Sequence, residues 1–143
     1  MTTLNLDTAD TMVNAALRGG RARNLKPLSV VVLDAGGHDI ILKREDGSGI
    51  LRVDIARGKA WGALGLGLGS RELGKRAENN PRFFAALAAA SGGRVFPNAG
   101  GVLIRNADGV LVGAIGISGD TADMDETCAL EAVTSSGLIG DGG

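Results

Sequence analysis

A single histidine, a single cysteine and a few charged clusters hold most of the chemistry open to this chain of 143 residues. His38 follows Asp34-Ala35-Gly36-Gly37, four residues that favour a tight reversal. An imidazole there could ligate a metal, but zinc sites draw on three or four protein ligands. With Cys128 the only cysteine, no autonomous metal centre is expected. A haem asks for only one axial ligand, which His38, a methionine or Cys128 could supply. The other reading of His38 is a solvated turn residue.

A second group is carboxylate-rich: Asp123, Asp125 and Glu126 stand together after Ser118-Gly119. Asp123 with Glu126 three residues on has the form of a capping box, in which two side chains satisfy the free amides of a helix start. The same carboxylates could also move a proton, so Asp125 and Glu126 are candidate acid–base residues, with Lys59 as a cation to hold or activate a substrate. No histidine stands near Ser118 in sequence to make it a nucleophile. Arg44, Asp46, Arg52 and Lys59 read as solvated charges. If they converged on the loop Phe96-Pro97-Asn98-Ala99-Gly100-Gly101, they would form a pocket for a carboxylate, which arginine grips with two parallel bonds.

The elements that must position these residues follow from periodicity. Ala9, Met12, Val13, Ala16 and Leu17 mark one face of a helix over 7–23, capped by Asp7 or Thr8 and weakened at Gly19-Gly20. Lys26-Pro27 forbids helix and opens an apolar run, Leu28 to Leu33, that reads as a strand covered on both faces. A tight turn returns the chain through a strand at 39–45. Val53, Ala56, Ala60, Ala63 and Leu64 then form a second helical stripe, with Arg52, Arg57 and Lys59 pointing elsewhere. That helix dissolves in Gly65-Leu66-Gly67-Leu68-Gly69. The glycine run is no phosphate loop, because it follows a helix and Ser70 stands where the last glycine would be. Asn80-Pro81 starts a short helix over 83–90, stopped by Gly92-Gly93. Strands at 102–105 and 110–118 flank the turn at 106–109, a capped helix follows, and a polar glycine-rich tail closes the chain.

The totals exclude several classes. Apolar residues make up 44% and net charge is −1, which suits a folded domain and gives no electrostatic reason for nucleic acid or an anionic membrane. The four aromatic side chains are Trp61, Phe83, Phe84 and Phe96, so base stacking is a poor reading too. The N-terminus lacks the basic and apolar stretches of a leader, and no apolar run is long enough to span a bilayer. One domain over 1–143, cytoplasmic, is the expectation, with α+β architecture and a mainly antiparallel sheet between helices. Glycine-lined helices and apolar edges further suggest a closed homo-oligomer.

Four stretches taken together, VVVLDAGGHDIILKREDG, DIARGKAW, FPNAGGVLI and GVLVGAIGISGDTADMDETCALEAV, resemble the GlcG/HbpS-like family of haem-degrading or haem-binding domains. The likeness runs over about residues 4 to 138. It implies a profilin-like fold whose five-stranded antiparallel sheet has the order 2-1-5-4-3, with helices on both faces. Leu103 stands where the family usually has proline. The resemblance implies a small-ligand-binding accessory protein taking haem or another tetrapyrrole, with His38, Arg44, Phe96, Gly100 and Gly101 about the cofactor. The alternative is a small cofactorless enzyme of a catabolic pathway, in which Arg44 or Lys59 holds a carboxylate-bearing metabolite while Asp125 or Glu126 moves a proton.

Overall fold

The computed structural model describes residues 3–143; Met1 and Thr2, with that part of the leader reading, lie outside the described residues. Helix α1, Leu6–Ala22, is capped by Asn5, whose Oδ1 accepts the Thr8 amide at 2.9 Å. The cap thus falls before Asp7, which instead places its charge in the first turn, where free amides favour it. Gly20 does not end the helix. It is buried, and a Cβ there would lie 2.7 Å from Leu28 Cδ1, so packing against the incoming strand explains the glycine.

Strand β1, Ser29–Asp34, is buried through Leu33, as the unbroken apolar run requires. It pairs antiparallel with β2, Asp39–Arg44, on one side and with β4, Leu111–Ser118, on the other. Strand β3, Gly101–Arg105, continues the sheet beyond β4, and β5, Ile139–Asp141, closes it. The order is therefore β2-β1-β4-β3-β5. The antiparallel five-stranded sheet stands as expected, but numbered along this chain it runs 2-1-4-3-5 where the resemblance implied 2-1-5-4-3. The difference lies in the C-terminal segment, read from sequence as a polar tail. Only three residues of it pair, along Leu103–Arg105 at the outer edge.

Alternation along the strands separates two cores. Val30, Val32, Val102, Ile104, Ile115 and Ile117 face α1 and α5, Ala122–Ser135. Val31, Leu33, Leu103 and Ala114 face α2, Arg52–Leu66, which meets them with Ala56, Ala60 and Ala63. This second layer is thin. A Cβ on Gly116 would lie 1.9 Å from the Ala56 carbonyl oxygen and one on Gly101 2.3 Å from that of Lys59, so α2 rests with its backbone almost on the sheet. Helix α2 ends at Gly67, whose φ of 70° is the left-handed stop that glycine adopts without strain.

Helix α3, Ser70–Asn79, is absent from the periodicity reading because only Ser70 and Leu73 of it are buried. Helix α4, Pro81–Ala90, starts as expected, with Asn80 Oδ1 accepting the Phe83 amide. Helix α5 begins before the expected capping box. Thr121 Oγ1 accepts the Met124 amide at 3.2 Å and is the cap, so Asp123 and Glu126 are free to bind elsewhere. Among the described residues, no helix is long and apolar enough to cross a membrane.

Candidate functional site

The sheet's two covering layers are joined at one end by a buried ion pair. Lys59 Nζ, on α2, donates to the Ile117 carbonyl at 2.9 Å and lies 3.3 Å from Asp125 Oδ2, on α5. Their side chains are 3% and 1% exposed. The other carboxylate oxygen accepts the Asp120 amide at 3.0 Å. Burial pushes the Lys59 ammonium below its ordinary value against the pull of Asp125, and pushes the Asp125 carboxyl up against the pull of Lys59. Lys59 thus points inward, contrary to the stripe reading. Gly100 and Gly101 make this possible: a Cβ on Gly100 would lie 2.8 Å from Nζ, and the Gly101 amide is held by Ser70 Oγ at 2.7 Å.

The structure therefore brings Lys59, Asp125, Gly100 and Gly101 together, with Lys59 filling the space that the two glycines leave. It disperses the other candidates. Glu126 accepts two bonds from Arg71 Nε, at 3.1 and 3.0 Å, and Arg71 also binds Asp123. Phe96 is half-exposed and rests on Gly58 of α2. His38 and Arg44 flank opposite ends of β2, roughly 20 Å apart at the rise of an extended strand. Arg44 donates to the Ser48 carbonyl at 2.7 Å.

His38 is held by its own turn. Asp34 Oδ1 accepts the Gly36 and His38 amides at 2.9 and 3.0 Å and lies 3.2 Å from His38 Nδ1. These bonds, the His38 amide first, hold the Asp34 carboxyl below its ordinary value. This contact engages Nδ1, and Nε2 makes no hydrogen bond among the described residues. The imidazole is 81% exposed.

Sequence reasoning passed over the surface around α4. That helix reads PRFFAALAAA, yet none of its residues is buried. Phe83 and Phe84 meet edge to face, centroids 5.5 Å apart, and with Leu66, Leu68 and Leu73 they wall a groove of about 370 Å³ rimmed by Arg76. The apolar composition of 81–90 was legible. That the rest of the chain leaves it unburied was not.

The family model described as haem degrading protein HbpS-like matches residues 4–134. The chain belongs to the HbpS-like family. Among curated relatives of this HbpS-like chain, the corrinoid adenosyltransferase PduO of Salmonella typhimurium is 28% identical over 116 residues, 80% of this chain and 34% of PduO. The chain thus spans about a third of that relative's length. A crystal structure of a PduOC:heme complex superposes with a TM-score of 0.86 at 24% identity, covering 95% of this chain and 96% of that one. The crystal structure of HbpS gives a TM-score of 0.79 at 27% identity, covering 94% and 91%.

Proposed function

We propose that this chain is a small-ligand-binding accessory protein that takes haem or a related tetrapyrrole in the groove along α4. The observation that carries the reading is an apolar helix with two phenylalanines and no buried residue, facing three leucines across a groove. Ligand pockets are concave and mostly apolar, with few polar groups, in the range of about 300–1,000 Å³. A tetrapyrrole offers a flat apolar face and carboxylates at its rim. Phe83 and Phe84 suit the first and Arg76 the second, since its exposed pair with Glu72 at 3.2 Å is weak enough to exchange.

Membership of a family described as haem degrading supports the reading, as does haem in the complex of PduOC, a protein of the same fold. Lys59 and Asp125 fit less well as acid and base, because substrate would have to reach groups almost without exposure. Bound haem would rest on Phe83 and Phe84, which exclude water from one face. Its iron chemistry is the cofactor's own.

Association of two or more chains belongs to the same proposal, since Ile50 is 92% exposed beside the exposed Leu51. Light scattering tests it: a mass near 14.4 kDa at micromolar concentration contradicts it.

The deciding experiment is a haem titration followed by visible absorption. Phe83 is 48% exposed and lies outside both buried cores, so Phe83→Ala leaves the fold intact. The variant's haem affinity should fall several-fold, since about half of the ring is left to bury and full burial gains roughly 1.5–3 kcal/mol. Unchanged affinity in Phe83→Ala contradicts the proposed groove.

A further inference from the structure

On the other side of α2's C-terminal half, the sequence Gly58-Lys59-Ala60-Trp61-Gly62-Ala63-Leu64-Gly65 builds a second feature. Gly58 and Gly62 lie about one helical turn apart. A Cβ on Gly58 would come within 2.9 Å of Phe96 Cβ, and one on Gly62 within 2.9 Å of Val95 Cγ1. The segment 94–96 therefore lies directly on the helix, pinned by the Phe96 amide donating to the Gly58 carbonyl at 3.2 Å. That seating delivers Arg94 to Trp61: its guanidinium carbon lies 4.0 Å from the indole centroid, and its Nε donates to the Ser91 carbonyl at 2.7 Å.

The stack divides two pockets that share Trp61 and Arg94. On one side, about 270 Å³ is bounded by Asp54, Arg57, Gly58 and Gly93. On the other, about 250 Å³ is bounded mainly by Gly62, Gly65, Leu66, Leu87 and Val95. A Cβ on Gly65 would meet nothing within 4 Å, so this apolar side is open. Among the described residues, the terminal nitrogens of Arg94 meet no acceptor and no carboxylate, and the Trp61 indole N–H donates to none. Arg57, by contrast, is held by Asp39 at 3.1 and 2.9 Å.

We infer that the Trp61–Arg94 stack is a second ligand site, for a small planar carboxylate of the aromatic-acid class. The ring lies along the apolar wall of Gly65, Leu66 and Leu87, and the carboxylate takes the free fork of Arg94. The planar guanidinium selects a carboxylate because it donates two parallel bonds, and the indole supplies a flat face. Asp54, 77% exposed on the polar side, disfavours a second carboxylate, so a monoacid fits. Of the groove assigned to tetrapyrrole, this site shares only Leu66, and the inference stands without that assignment.

The chain has one tryptophan and no tyrosine, so its fluorescence is that of Trp61. Benzoate and its neutral analogue benzamide are titrated into the wild type, Arg94→Gln and Phe83→Ala. The indole N–H cross-peak in a proton–nitrogen spectrum serves as a second readout. Saturable benzoate binding is expected in the wild type and in Phe83→Ala, and binding weaker by about tenfold or more in Arg94→Gln or with benzamide. No saturable response, equal binding of the two compounds, or full affinity in Arg94→Gln overturns the inference. Loss in Phe83→Ala with Arg94→Gln intact moves the ligand to the α4 groove and overturns it too.

Discussion

Lys59 on one side of the sheet and Asp125 on the other meet at 3.3 Å, both almost without exposure. Taking two such charges out of water is costly, and removing one leaves the other unpaired, typically at about 3–5 kcal/mol. Lys59→Met should destabilise the fold on that scale, because it leaves Asp125 buried without its cation, whereas Asp125→Asn should cost less, because the fold already favours the uncharged carboxyl. The double variant keeps an amide oxygen for the Asp120 N–H and leaves no buried charge. It should be more stable than the sum of the singles, by roughly 2 kcal/mol. Urea denaturation of the four proteins measures the coupling, and strict additivity would show that the two groups act separately.

The same pair has a pH signature. Burial raises the Asp125 carboxyl above its ordinary 3.8, so between 3.8 and the raised value the folded chain binds the extra proton. Asp125's favourable contribution is therefore fully present below 3.8 and is lost as pH rises through its folded value. Lys59, lowered from 10.5, contributes stability above 10.5 that is lost as pH falls through its folded value. Relative to Asp125→Asn, the wild type should gain stability as pH falls from neutrality toward 3.8. A relative loss over that window in thermal melts would reverse the assigned direction. Asp34 and Asp120, both lowered, act oppositely and only below 3.8.

Glycine positions separate by what surrounds them. Gly116→Ala drives a methyl to 1.9 Å from a backbone carbonyl, which only displacement of α2 can relieve. A loss of roughly 3 kcal/mol or more is expected. Gly65→Ala meets nothing within 4 Å in the same helix and should gain roughly 0.5–1 kcal/mol. Equal melting temperatures for the two variants would mean that the sheet and α2 are not in backbone contact.

His38 is exposed, and its hydrogen bonds are to its own turn. His38→Ala should weaken haem binding by less than about tenfold. A change of iron coordination in the visible spectrum, with a loss of a hundredfold or more, would instead make Nε2 the axial ligand.

Much of this architecture is legible in the sequence, for reasons visible at particular residues. The run Leu28 to Leu33 announces a strand buried on both faces, and Asn80-Pro81 announces a helix start. Helix α3 leaves little trace because Leu73 is its only buried apolar side chain. Strand β5 pairs through three residues, too few to show alternation. The inward turn of Lys59 depends on room left by Gly100 and Gly101, some 40 residues away in the chain, which helical periodicity does not register. The capping box at Asp123 and Glu126 was outcompeted by Thr121 and by the guanidinium of Arg71, a tertiary partner. Gly100 and Gly101 meet Lys59, whereas Phe96, although local to them in sequence, rests on Gly58, and His38 and Arg44 are separated by the length of a strand.

The most direct test is the position of the iron in crystals grown with haem, read from its anomalous scattering. The expected result is a peak in the groove between Phe83 and Leu66. A peak beside Arg44 or the loop at 96–101, or no peak at all, would contradict tetrapyrrole binding along α4.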